Sequence, residues 1–317
     1  MKEYSMINKQ FWHGLLVFIL LLSLAACDTK KTAETPAVSD KSTILFDAIQ
    51  IVLKAEELNK AQQWKKAIAI LEKVILQHGK SADPNLQEEV AKAMLEKGYA
   101  LDGLKLSDKA LQTYNTLIER YGASNNIEVQ VLVANAMMNK SYLFNDLKNS
   151  QDEAKTYDEI ISRLASSSNA RLRQHVDVAY NNKGFGLILQ AKQTWDDALA
   201  REALLTQALT ALEQAAKATS SETKAMALGN TAYAKWLLGR TDEAKAPLTE
   251  ALKMSGVWLY EGELSDTKQH TVPADAGFVA LLDKVWQEVQ PKAASKDAQP
   301  NETKPKDEKK SGATIHI

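Results

Sequence analysis

A repeat restricts what this chain can fold into more than any other feature. Glu96-Lys97-Gly98-Tyr99, Asn139-Lys140-Ser141-Tyr142 and Asn182-Lys183-Gly184-Phe185 set a lysine, a small residue and an aromatic at a spacing of 43 residues, and Thr231-Ala232-Tyr233 follows 48 residues after the third copy. Some way beyond each small residue stands an alanine preceded by a charge, in Lys109-Ala110, Glu153-Ala154, Asp197-Ala198 and Glu243-Ala244. Ala55, Leu58, Ala61, Ala67 and Leu71 form a weaker, earlier copy. A period of this length marks one supersecondary unit that buries its apolar face only by stacking on its neighbours.

The unit is helical. Between residues 44 and 290 the chain is rich in Ala, Leu, Lys and Glu, and its apolar residues recur at steps of three and four without the sustained alternation of a half-buried strand. Asp83-Pro84 places a capping side chain before a first-turn proline, and Ser107 precedes Asp108 and the run Ala110 to Ile118. The expected fold class is therefore all-α.

The pattern resembles the tetratricopeptide repeat (TPR) family, in which a small residue in the first helix and an alanine early in the second let the two helices approach closely. On that resemblance the small sites are Ala55, Gly98, Ser141, Gly184 and Ala232, and the alanines are Ala67, Ala110, Ala154, Ala198 and Ala244. Leu71, Tyr114, Tyr157 and Leu248 would be the bulky residues that follow. The match is clearest from Leu228 to Leu252, where Leu238-Gly239 and Asp242-Glu243-Ala244 fit the turn and the start of a second helix. The spacing exceeds the usual ~34 residues, which lengthens helices or loops, and the proline that commonly ends a repeat is missing. The resemblance implies a TPR-like α-solenoid of about five helical hairpins over residues 44–256. Another α-solenoid or an irregular helical bundle is the alternative architecture. It also implies a protein-binding or scaffolding role, without naming the partner.

Tyr99, Tyr142, Phe185 and Tyr233 share one repeat position, immediately after the small site. Asn139, Asn182 and Asn230 lie three residues before their aromatics and so on the same helical face, with Trp236 nearly a turn beyond Tyr233. Two roles fit. The sharper one is a candidate peptide-binding ladder that stacks on side chains and bonds a peptide backbone; the plainer and favoured one is inter-repeat core, repeated because the packing repeats.

Past the repeats, Phe278, Leu281, Leu282, Val285, Trp286 and Val289 form one apolar helical stripe. Solenoids need such an end cap, so residues 257–290 read as a loop followed by a capping helix, a docking helix being the alternative. The loop would carry Trp258, Tyr260, Glu261, Glu263 and Asp266. Residues 291–317, rich in Lys, Asp, Glu and Pro, read as a solvated charged tail.

At the other end, Lys2 and Lys9 precede an apolar run from Leu15 to Ala26, which is the layout of a cleaved secretory signal over residues 1–26. Leu24-Ala25-Ala26-Cys27 resembles the lipobox of bacterial lipoproteins, and Cys27 is the single cysteine of the chain. That resemblance implies cleavage before Cys27, lipid on its sulfur and a tether over residues 27–43. Asp28 resembles the signal that retains such proteins in the inner membrane of many Gram-negative bacteria. The expected location is thus the periplasmic face of a membrane, inner rather than outer, with lipid as the anchor.

A formal net charge of −1 and the lack of a basic face argue against nucleic acid as partner. No cofactor, metal or catalytic set is expected: His78, His175, His270 and His316 are far apart in sequence. Ser221 to Lys224 and Ser265 to Lys268 fit the Ser-x-x-Lys string of penicillin-recognising enzymes, but that string is common in a Ser- and Lys-rich chain. The reading is a non-enzymatic adaptor that holds a protein or peptide of the cell envelope. A helical envelope enzyme acting on peptidoglycan is the alternative.

Overall fold

A computed structural model describes residues 41–290, and Cys27, Asp28 and the charged tail from residue 291 lie outside them. Within that span the helices pair in sequence order. They are α1 (Lys41–Lys60) with α2 (Trp64–His78), α3 (Pro84–Gly103) with α4 (Ser107–Tyr121), α5 (Ile127–Asp146) with α6 (Ser150–Leu164), α7 (Ala170–Gln193) with α8 (Ala198–Ala215), and α9 (Ser221–Leu237) with α10 (Thr241–Thr267). A last helix, α11 (Asp275–Val289), packs on α9 and α10. Successive first helices also touch, α3 with α5, α5 with α7 and α7 with α9, so the described residues form an all-α, TPR-like solenoid of five hairpins. None of the described helices is long and apolar enough to cross a membrane.

The small-site logic holds at atomic level. A Cβ on Gly98 would overlap the Tyr114 ring, and one on Gly184 would overlap Leu212. Ala55, Ala67, Ala110, Ala232 and Ala244 are fully buried and Ala154 is partly buried, while Leu71, Tyr114, Tyr157 and Leu248 are all buried. Ala198 is different: it opens α8 and is exposed. The 48-residue spacing shifts the register of this hairpin, so Leu205, Ala208 and Leu212 turn inward in its place.

Turns repeat as faithfully as cores. Asp83, Asn126, Asn169 and Ser220 cap α3, α5, α7 and α9 by accepting backbone N–H bonds with their side chains. Two residues earlier, Ser81, Ser124 and Ser167 each accept the N–H of the capping residue through Oγ, at 3.1, 3.2 and 3.2 Å. Ser107 is not a cap: α4 starts on it, and Leu106 at the cap position makes no side-chain bond.

Between the two helices of a hairpin, Gln62, Lys105 and Lys148 adopt φ of 57°, 60° and 59°, where the last hairpin has Gly239 at 77°. A side chain in this left-handed region costs ~1–2 kcal/mol, partly offset by the extra freedom glycine loses on folding. Lys105→Gly and Lys148→Gly are therefore each expected to add about 0.5–1 kcal/mol, read as a higher urea midpoint. A lower midpoint for both would show that these lysines are not strained.

Two features of the C-terminal region set up the site. The apolar stripe of α11 closes the array, with Phe278, Leu282 and Val285 fully buried and Leu281, Trp286 and Val289 packed against the same core. Residues 257–267, expected as a loop, are instead helical and follow a break in α10 at Gly256 (φ 59°, ψ −138°). Their buried side chains, Leu259, Glu263 and Thr267, are spaced by four, a stripe hidden from the sequence reading because two of its members are polar.

Candidate functional face

The aromatic position divides along the array. Tyr233 is fully buried; its ring lies 4.6 Å from that of Phe278, its hydroxyl bonds Asp275, and it accepts a 2.6 Å bond from Lys192 Nζ. Trp236 donates from Nε1 to the Ala274 carbonyl at 2.9 Å. Asn230 is buried and donates to Asn181 Oδ1 at 3.1 Å. These three residues therefore hold the cap and the last repeats together; Tyr233 and Asn230 are closed to a peptide, and Trp236 is partly buried. Phe185 is partly buried against the same core.

Tyr99 and Tyr142, by contrast, are 37% and 42% exposed. Tyr99 meets Trp64 edge-on at 5.5 Å between ring centres. The neighbouring amides are spent between repeats: Asn139 bonds the Tyr114 hydroxyl, and Asn182 donates to the Tyr157 hydroxyl at 3.4 Å. A chain of amides continues inward, Asn181 donating to Asn182 Oδ1 at 3.2 Å. Of the candidate ladder, two exposed phenols on the first helices of the second and third hairpins remain.

Carboxylates border them. Burial raises Asp102 above the usual carboxylate range, with Asp146 adding to the effect and Lys105 opposing it. Asp102 Oδ1 has no hydrogen-bond partner among the described residues. Glu96 is also raised by burial, against the bond it accepts from Asn59 Nδ2 at 2.7 Å. The face thus offers aromatic surface backed by buried carboxyl groups, and it suits a partner that brings apolar groups.

Sequence reasoning missed a second polar cluster entirely, under α11. Lys192, with no exposed side-chain area, pairs with Asp275 at 3.1 Å and donates to the Thr267 carbonyl at 3.2 Å. Burial pulls the Lys192 ammonium below its ordinary value while Asp275 pulls it back. Burial also holds the Tyr233 hydroxyl protonated, reinforced by Asp275. The residues come from α7, α9 and α11, and no local pattern links them.

In the first Ser-x-x-Lys string, Lys224 pairs with Glu250 on a neighbouring helix at 3.1 Å. Among the described residues no group of His, Cys, Asp and Glu is arranged to hold a metal ion. No protein-family profile matches the sequence, and no curated protein does. Among solved structures the chain is similar to a TPR repeats protein from Bacteroides fragilis, with 16% identity, coverage of 76% of this chain and 98% of that chain, and a TM-score of 0.34.

Proposed function

We propose that this protein is a binding scaffold of the bacterial cell envelope, tethered through lipid on Cys27 and holding a protein or peptide partner on the face that carries Tyr99 and Tyr142. The observation that carries the reading is the exposure of these two tyrosines at a position where the same repeat buries Tyr233. A large aromatic left at the surface at equivalent sites of adjacent hairpins is an anchor for a partner side chain, since such residues dominate binding energy once they are desolvated. The leader resembling a lipoprotein signal and the Asp28 that follows Cys27 support an inner-membrane, periplasmic setting. A chain held by lipid meets its partner close to that membrane.

The Tyr99→Ala/Tyr142→Ala chain tests it. Crosslinked partner recovered from cells is expected to fall at least tenfold, while helical circular dichroism and the melting temperature hold. A fall in stability of equal size would make the tyrosines core, and unchanged capture would remove this face from the account.

A further inference from the structure

The second half of α10 lies on the first-helix face itself. After the break at Gly256, residues 257–267 run across α9 so that Glu263 packs onto Gly229, where any Cβ would collide with its carboxylate. Thr267 is tied to α7 by the Lys192 bond, and Tyr260 stacks on Trp286 at 5.4 Å with its hydroxyl donating to Asp283 at 2.7 Å. The segment thus lies across α9 and is tied to α7 and α11 as well.

The segment is held by an interface with too many acceptors. Glu263 Oε2 and, one residue along from Gly229, Asn230 Oδ1 are both buried and have no hydrogen-bond partner among the described residues. Two buried orphan acceptors are costly, and a proton on Glu263 turns one of them into a donor. Asp266 faces the same interior. Lys192 on α7 and Tyr233 on α9 lie within electrostatic reach of these acids, Gln269 donates to Asp266 Oδ1 at 3.3 Å, and Asp275 on α11 stands behind Lys192 and Tyr233, bonded to both. Lys192 is already committed to Asp275, Tyr233 and Thr267.

We propose that residues 257–267 are a proton-controlled strap, hinged at Gly256, which grips the first-helix face of α9 while Glu263 and Asp266 are protonated and loosens as they ionise. As a control on partner access it rests on the binding reading above; the loosening itself requires no partner. Burial raises Glu263 well above the carboxylate range, and it raises Asp266 to about 7. A carboxyl raised in the closed form stabilises closure fully below its open-state pKa and loses that stabilisation as pH climbs toward its closed-state pKa. The strap is therefore tightest in mild acid and loosens through neutrality.

Hydrogen exchange of the full chain, corrected for intrinsic rates, tests this. From pH 5 to pH 7, protection within residues 257–267 is expected to fall at least tenfold while α3 to α6 keep theirs. In Glu263→Gln/Asp266→Asn that fall should vanish. Flat protection in the natural chain, the same fall in the variant, or a loss shared by every helix would each overturn the strap. Capture lost in Tyr99→Ala/Tyr142→Ala alongside flat strap protection would sink the strap and spare the binding face; the reverse pair of results would do the opposite.

Discussion

Replacing Asp275 with alanine is expected to remove about 3–5 kcal/mol of stability from the C-terminal end of the array, the cost of stranding a buried charge. Asp275 is the counter-ion of Lys192 and also accepts the Val272 N–H at 2.7 Å and the Tyr233 hydroxyl. Without it, the ammonium keeps its hydrogen bonds to the Tyr233 hydroxyl and the Thr267 carbonyl but loses its paired carboxylate. At roughly 2–4 °C per kcal/mol for a domain of this size, the melting temperature should drop by about 10 °C. Exchange protection should fall in α9 to α11 first, because units of a repeat array answer mainly to their neighbours. Lys192→Met/Asp275→Leu is the informative companion: with both charges gone it should lose much less than Asp275→Ala. An Asp275→Ala protein within 1 kcal/mol of the natural chain would show that the cluster is not a fastening.

The second large effect concerns the contact between Gly98 and Tyr114. Tyr114→Ala should cost about 3–5 kcal/mol by opening a cavity between α3 and α4. Gly98→Val should cost about 1–3 kcal/mol by driving a side chain into the ring. The two residues compete for one space, so the double variant should lose at least about 1 kcal/mol less than the sum. Additive losses would mean that the small site is not reserved for the ring, and the reading of the repeat would lose its physical basis.

Much of this was legible in the chain because repeats make their signals redundant. Gly98, Ser141 and Gly184 announced the close approach of helices, and the Phe278 to Val289 stripe announced the cap. The Asp83 cap was read directly, and the rest of that pattern was equally legible but missed: Ser81, Ser124 and Ser167, each two residues before Asp83, Asn126 and Asn169, keep the same 43-residue period. Ala198 misled because an insertion shifted the register, which composition does not reveal.

The candidate face was only half legible, for a long-range reason. Tyr142 and Tyr233 are alike locally, but α11 brings Phe278 and Asp275 onto the second and nothing described covers the first to the same degree. Whether an aromatic is anchor or core depends here on a helix some forty residues away. The same holds for the strap, whose polar Glu263 and Thr267 hid a buried stripe that only the fold made visible.

The proposed binding face around Tyr99 and Tyr142 is open to one direct measurement. A photo-crosslinking amino acid placed at Tyr142 in the full lipid-signal-bearing chain, compared with one at exposed Gln112 on α4, reads it directly. A discrete protein adduct is expected from position 142, lost when Tyr99 is alanine, and none from position 112. Adducts of equal yield from both positions, or none from 142, would contradict it.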